Sequence, residues 1–377
     1  MNVLVVSGIW PPDVGGPASH APEVADYLAG RGHEVEVVTT AAAPPAPADY
    51  PIHWVSRAIP KGLIHVRTAA LVRRCARRVD VVYTTGMFGR SFAGSTAAAR
   101  PYVVKLTADP AFERARRRGI VEGDVDAFQR SAHGLRPAAL RLARDLELRR
   151  AAHVFCPSAY LRELALSWGI PGERVSVLPN PYPALPDLPP RDELRASFEM
   201  NGRTLAFAGR LSAQMSLDVG LAALADVEDV TLVIAGDGDQ RAPLERRAAE
   251  LGVADRVHFL GAQPRERVLE LFRAADASLL SSSWENFPHT VVEALAVGTP
   301  VLATRVGGVA EVVHDGENGL LVPAGDRDAL AASIRRFFDD DALRERLRAA
   351  AADSVRAFDR DTVFARLERA LEEAVRR

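Results

Sequence analysis

Short runs of β-branched and aliphatic residues recur along this 377-residue chain, and stretches with helical spacing lie between them. Val3–Ser7, Glu34–Thr39, Val79–Thr84, Tyr102–Leu106, His153–Pro157 and Val175–Leu178 read as short buried strands. Helical segments separate them, beginning with Ala18–Gly30. Strands that alternate with helices in this way build a parallel, doubly wound α/β sheet. The alternation breaks at Pro179–Pro190, PNPYPALPDLPP, which is too proline-dense for a helix or a central strand. It resumes with Thr204–Ala208, Thr231–Ala235, Val257–Leu260, Ala277–Leu280, Val301–Ala303 and Gly319–Leu321. Two α/β domains in series follow, residues 1–180 and 181–357. Residues 358–377 close the chain as an amphipathic helix with Val363, Phe364, Leu367, Ala370, Leu371 and Ala374 on one side. Ligands of such sheets bind beyond the carboxyl ends of the strands, so the segments after each strand are where function is expected.

Composition narrows the class. The chain is 48% apolar with a net charge of -2, which suits a globular protein and offers nucleic acid no overall basic attraction. No run of about 18 apolar residues is present, so no membrane-spanning helix is expected. The N-terminal MNVLVVSGIW carries no Lys or Arg before its apolar run and reads as a buried strand rather than a signal peptide. Cys75 and Cys156 lie in apolar surroundings, as free thiols of a reducing cytoplasm do. The charge is uneven. Residues 1–180 hold 23 Lys and Arg against 16 Asp and Glu, and the remainder 24 against 33. Arg67, Arg73, Arg74, Arg77 and Arg78 share one side of a predicted helix, Lys61–Val79, opposite Ile64, Leu71, Val72, Cys75 and Val79. That helix reads either as core-packing with a solvated basic face or as one able to rest on the anionic inner face of a membrane.

The most informative block is Ser281–Gly325. Two glutamates, Glu285 and Glu293, stand eight residues apart across a turn that enters a helix. Pro288 sits near the first helical turn, where a missing N–H is harmless. Val291, Val292, Leu295 and Ala296 recur at helical spacing and Gly298 ends the run. A buried strand and a tight Gly307-Gly308 turn follow. The start of such a helix offers unpaired N–H groups and a positive dipole end, a natural seat for a diphosphate. Carboxylates beside it accept hydrogen bonds from hydroxyls. Phosphates plus hydroxyls describe a nucleotide-sugar.

The block E-N-F-P, then G-T-P-V-L-A-T and V-G-G-x-x-E-V-V, resembles the donor site of glycosyltransferase family 4. These are retaining, metal-independent sugar transferases of GT-B fold, two Rossmann-like domains facing across a cleft. The resemblance covers essentially the whole chain and implies transfer of a hexosyl group from a nucleotide-diphosphate sugar to an acceptor hydroxyl, with no metal and no further cofactor. It assigns the donor sugar's hydroxyls to Glu285, the ribose to Glu293, and the backbone around Asn286 and Phe287 to the sugar and phosphates. It places Arg210, in Gly209-Arg210-Leu211, on the diphosphate. Gly236-Asp237-Gly238 then borders the nucleotide and the loop Gly261–Gln263 meets the base. In the first domain the Gly15-Gly16 pair faces the donor phosphates and acceptor, and the last helix crosses back onto that domain.

Two positions depart from the family pattern. Met215 stands where the family has a lysine beside the diphosphate. Ala108 stands near the family's histidine, before Asp109, and His133 and His153 are poor substitutes by position. Asp109, at a strand's carboxyl end, reads equally as a group that orients an acceptor hydroxyl and as a helix N-cap. Gly15-Gly16 reads as an anion approach or as a plain strand-to-helix turn. A same-fold nucleotide-sugar epimerase and a non-catalytic sugar-nucleotide or carbohydrate-binding protein remain alternatives. The base, the sugar and the acceptor are not legible, though the basic first half suits an anionic acceptor.

Overall fold

The computed structural model describes residues 1–13, 16–121, 125, 128–129, 134–182 and 185–376. The chain divides into two compact units: Met1–Pro179 with Val363–Arg377, and Asn180–Thr362.

The first unit holds a seven-stranded parallel sheet. Its strands are β1 (Asn2–Val6), β2 (Glu34–Ala41), β3 (Ile52–Ser56), β4 (Val81–Thr84), β5 (Tyr102–Lys105), β6 (His153–Cys156) and β7 (Val175–Val177), in the order β3-β2-β1-β4-β5-β6-β7. The order reverses between β1 and β4, so the loops after those two strands flank a switch point. The second unit holds β8 (Arg203–Ala208), β9 (Val230–Ala235), β10 (Val257–Gly261), β11 (Ala277–Leu280), β12 (Val301–Thr304) and β13 (Gly319–Val322), ordered β10-β9-β8-β11-β12-β13. Its switch point lies between β8 and β11. The central strands are buried and mainly apolar because helices cover both faces of each sheet. The strand absent from the sequence reading is β3. It is an edge strand, and only Val55 among its five residues is fully buried, so its apolar signature is weak.

The helix Arg360–Arg376 contributes Val363, Phe364, Leu367 and Leu371 to the first unit's core, together with Val3, Val5, Val24 and Leu28. The Phe364 ring meets Tyr27 at 5.4 Å and His20 at 5.8 Å between centroids. His33 Nε2 lies 2.8 Å from Glu368 Oε1. The predicted helix over 61–79 ends at Ala76, with Arg77 as its C-cap residue. Its buried side is Ile64, Thr68, Val72, Cys75 and Ala76, while Arg67, Arg73 and Arg74 are exposed. Beside it, donor atoms of Glu36, His53 and Cys75 lie within 4.8 Å of one another. Arg78 reaches Glu36 at 3.0 Å and the Cys75 sulfur at 3.8 Å, so a guanidinium supplies the positive charge there.

Asp109 is a structural residue of the first unit. Its side chain caps the helix Pro110–Arg117, accepting the Ala111 N–H at 2.8 Å. Its other oxygen accepts from Gln129 at 2.6 Å and from Arg144 at 2.9 Å. Arg144 is itself buried, 4.0 Å from the Trp168 ring centroid. With 1% of the residue exposed, both carboxylate oxygens are engaged within the fold, and of the two readings of Asp109 the structure shows the helix N-cap. Asp109→Ala is therefore expected to destabilise the first unit by about 3 kcal/mol, losing the cap and leaving the Arg144 charge under-compensated. Urea unfolding of the variant checks this; a midpoint equal to wild type would contradict it.

Candidate active site

The second unit gathers most of the sequence-predicted residues at one edge of its sheet, where β8, β9, β10, β11 and β12 all end. The strand ends are laced together through backbone. The Gly236 N–H donates to the Gly261 carbonyl at 2.8 Å, the Gly209 N–H to Ala235 at 3.0 Å and the Leu211 N–H to Asp237 at 3.0 Å. A Cβ on Gly236 would stand 1.9 Å from the Gly209 carbonyl oxygen, so no side chain fits there. That is the physical content of the G-D-G pattern. The Asp237 carboxylate turns back to accept the Gly238 N–H at 2.8 Å. Arg210 projects from the end of β8 and is exposed. The Gln263 side chain donates to the Leu260 carbonyl at 2.8 Å, shaping the loop after β10.

At the switch point the loop after β8 is tied to the segment after β11. The Gln214 carbonyl accepts the Ser283 N–H at 2.9 Å, and its side chain donates to the Trp284 carbonyl at 2.8 Å. The Ser281 hydroxyl donates to the Met215 carbonyl at 3.0 Å. These bonds bring Met215 beside Glu285. The Ser282 hydroxyl lies 3.0 Å from Glu285 Oε1 and 3.5 Å from the Met215 sulfur. Thr304 at the end of β12 holds the Ser282 carbonyl at 2.6 Å.

The Glu285 backbone is fixed from a third direction. The Gly308 N–H donates to its carbonyl at 3.2 Å. Gly307 has φ 46°, and a Cβ there would meet the same oxygen at 1.7 Å. The paired glycines of V-G-G are thus required by a close approach to Glu285. The turn they form is a single 3₁₀ segment, Gly307–Glu311. The Glu285 carboxyl is half-buried. Burial pushes its pKa from 4.5 up to about 7, against the lowering effect of the Ser282 hydrogen bond.

The helix that follows spans His289–Ala296, and its cap residue, Pro288, provides no side-chain cap bond. Asn286 and Phe287 are each 7% exposed. The Phe287 ring packs edge-on against Phe358 at 5.8 Å, so its side chain serves the core. Glu293 lies within the helix, 6% exposed. Arg265, which opens the helix Arg265–Ala274, contacts Glu293 Oε1 with Nε and Nη2 at 2.9 Å each. Sequence reasoning missed Arg265, because an exposed arginine 28 positions before its partner carries no local signature. It missed Ser282 although Glu285 is only three positions away, because a serine in a serine run carries no motif of its own.

In the first unit, Gly16 opens the helix Gly16–Gly30, and Gly15 and His133 lie outside the described residues. Asp109 belongs to this unit, as a cap.

Comparison with known proteins agrees with this fold. The family model for the glycosyl transferase 4-like domain matches residues 15–181, and that for glycosyl transferases group 1 matches residues 191–354. A D-inositol 3-phosphate glycosyltransferase from Acidothermus cellulolyticus is 29% identical over 91% of this chain and 82% of its own length. A phosphatidyl-myo-inositol mannosyltransferase from Mycobacterium leprae is 36% identical over 47% of this chain and 48% of its own. Among solved structures, Anabaena HepE in complex with UDP-glucose matches with a TM-score of 0.79 at 23% identity, covering 99% of this chain and 100% of that one. Sucrose-phosphate synthase from Thermosynechococcus elongatus matches at 0.78 and 20% identity, covering 99% and 98%. Two doubly wound parallel sheets in series, the glycine-laced strand ends with two glutamates around one helix start, and family models matching both halves lead to one conclusion: the chain belongs to the GT-B glycosyltransferases of family 4 type.

Proposed function

We propose that this glycosyltransferase moves a hexosyl group from a nucleoside-diphosphate sugar to a hydroxyl acceptor, retaining the anomeric configuration and using no metal. The observation that carries the reading is the convergence of Glu285, Ser282 and the Met215 loop at the second unit's switch point. Glu285 accepts hydrogen bonds from the donor sugar's hydroxyls, and Glu293 holds the ribose. When the bond from the anomeric carbon to the diphosphate breaks, its electron pair leaves on the diphosphate. Arg210 and the start of helix His289–Ala296 face that growing charge. The acceptor oxygen forms the new bond, and its proton goes to the departing diphosphate, the strongest base the reaction itself generates. HepE was solved with UDP-glucose, which favours a uridine donor. One relative is named for D-inositol 3-phosphate and another for phosphatidyl-myo-inositol, and residues 1–180 carry 23 basic against 16 acidic side chains, so the acceptor is a phosphate-bearing polyol.

The experiment is a thermal-shift panel of UDP- and GDP-sugars, since a ligand that binds the folded state raises its stability. Transfer is then assayed to inositol phosphates and to inositol. Binding without turnover on every acceptor, or epimerised donor without any acceptor, would overturn the proposal. Within it, Glu285→Ala is expected to abolish most transfer with donor affinity nearly kept. Glu293→Ala is expected to weaken donor binding by about 1–3 kcal/mol. Near-normal kinetics in both variants would remove the donor site from this edge of the sheet.

The raised pKa of Glu285 has a sign that can be measured. The unfolded chain gives up this proton near 4.5 and the folded chain near 7. The folded state therefore binds more protons between those values, and stability falls as pH rises through that window. Glu285→Gln is expected to flatten the slope and to be about 1–3 kcal/mol more stable than wild type at pH 8. Parallel melting profiles from pH 5 to pH 8 would contradict the burial of this carboxyl.

Met215 offers a thioether where the family has an ammonium, and a thioether neutralises no phosphate charge. Met215→Lys is expected to tighten nucleoside-diphosphate binding about tenfold and to lower the titration of Glu285. Arg210→Ala is expected to be severe, with no lysine sharing its role. Calorimetric titration of UDP decides both. An unchanged Met215→Lys together with a mild Arg210→Ala would separate this loop from the diphosphate.

A further inference from the structure

We propose that the first unit holds a ligand site of its own: a cavity at the amino ends of β5, β6 and β7, lined by Arg100, Arg150 and Arg174, that binds a phosphate-bearing organic anion. The cavity has a volume of about 430 Å³, within the range of small-ligand sites. Ligands of doubly wound sheets bind beyond the carboxyl ends of the strands, so a cavity at the amino ends stands apart from that function. β5, β6 and β7 are neighbours in the sheet, and the segment entering each one delivers one arginine. Arg100 follows the helix Phe88–Ala97, just before Tyr102 opens β5. Arg150 is the C-cap residue of the helix Leu135–Arg149, ahead of β6. Arg174 ends the 3₁₀ turn Gly172–Arg174 and adjoins Val175 of β7.

These three guanidinium groups differ from other arginines of the unit. Arg144 is paired with Asp109 and Arg114 with Glu147, and Arg149 gives Nε and Nη2 to the Trp168 carbonyl at 2.9 and 2.7 Å. Among the described residues, no side-chain hydrogen bond or ion pair engages Arg100, Arg150 or Arg174, and no Asp or Glu lines the cavity. Like charges that converge without a counter-ion repel one another, and a bound anion offsets that repulsion. Guanidinium forks match phosphate oxygens in shape as well as in charge. Arg100 and Arg150 are exposed and Arg174 is half-buried, so a ligand reaches them from solvent. Arg100 leaves a sharp helix end: Ala99 has φ 52°, a conformation that glycine adopts more readily, and the Arg100 N–H donates to the Ser95 carbonyl at 3.0 Å. Much of the remaining wall is apolar. Tyr102 is held there by its hydroxyl bond to the Glu147 carbonyl, and Ala374 and Val375 come from the last helix, with Val375 42% exposed. A bare inorganic anion leaves that wall wet, whereas a carbon skeleton covers it.

This chemistry has two sources, a soluble phosphorylated metabolite and the headgroup of an anionic phospholipid, and the test has an arm for each. Calorimetry with glycerol 3-phosphate and with inorganic phosphate reads the first. Flotation with phosphatidylcholine vesicles, with and without phosphatidylglycerol, reads the second. The proteins are wild type, Arg150→Gln, the double variant Arg100→Gln with Arg174→Gln, Val375→Glu and Arg210→Ala. Wild type is expected to bind in at least one arm, more weakly as salt rises. Arg150→Gln is expected to weaken that binding about tenfold and the double variant about 100-fold. Val375→Glu keeps all three arginines and brings a carboxylate to them from an exposed position; it is expected to weaken binding about tenfold. Arg210→Ala, in the second unit, is expected to bind as wild type does. Unliganded cavity variants are expected to melt as wild type does and to lose the rise in melting temperature that the ligand gives. Binding of glycerol 3-phosphate assigns the soluble source, and binding confined to phosphatidylglycerol vesicles the lipid one. No binding in either arm, or binding that survives in the cavity variants, overturns the proposal. Inorganic phosphate bound as tightly as glycerol 3-phosphate overturns the organic part of it.

Discussion

The carbonyl oxygen of Glu285 organises the whole ligand edge of the second unit. It accepts the Gly308 N–H, and Gly307 passes so close that any side chain there would overlap it. The turn after β12 is thereby pinned to the turn after β11. The loop after β8 is pinned to the same segment through Gln214 and the Met215 carbonyl. Three loops that the sequence separates by dozens of residues share one backbone scaffold. The side chains of Glu285 and Met215 ride on it, so their placement derives from main-chain hydrogen bonds and excluded volume as well as from their own contacts.

That scaffold explains which parts of the site were legible in the sequence. Gly307, Gly308, Gly236 and Pro288 are residues with strong backbone preferences, and they announce a turn or a close approach wherever they stand. The alternation of apolar strands with helices is just as plain, because parallel strands are buried on both faces. The edge strand β3 lacked that signal, with a single fully buried side chain. Side-chain partnerships across distance were not legible. Nothing near Arg265 points to Glu293, nothing near Ser282 points to Met215, and the pairing of Asp109 with Arg144 spans 35 positions. Asp109 was ambiguous for a different reason. A capping aspartate and a substrate-facing aspartate occupy the same place after a strand, and only burial tells them apart.

The two glutamates of the block illustrate how environment divides labour between identical side chains. Both are acidic residues near one helix start, and the motif alone treats them alike. One is neutralised by an arginine and the other is left with a hydroxyl and a thioether. The Ser282 hydroxyl joins the Glu285 carboxyl to the Met215 thioether; neither the hydroxyl nor the thioether brings a positive charge, and burial raises the proton affinity of the carboxyl.

The helix at the C-terminus carries a consequence for how the molecule comes into being. The first unit is discontinuous in sequence: its core contains Val3, Val24 and Leu28 from the start of the chain, with Phe364, Leu367 and Leu371 from the end. On a ribosome the sheet of that unit emerges early, yet the residues that complete its apolar face are synthesised after the whole second unit. For most of translation the surface that Phe364 covers is bare, while the second unit, contiguous from Asn180 to Thr362, has its whole sequence available before the last helix is complete. Maturation of the first unit thus waits until the second unit has been synthesised, and a nascent protein stalled short of Val363 exposes a sticky face for chaperones or aggregation to find.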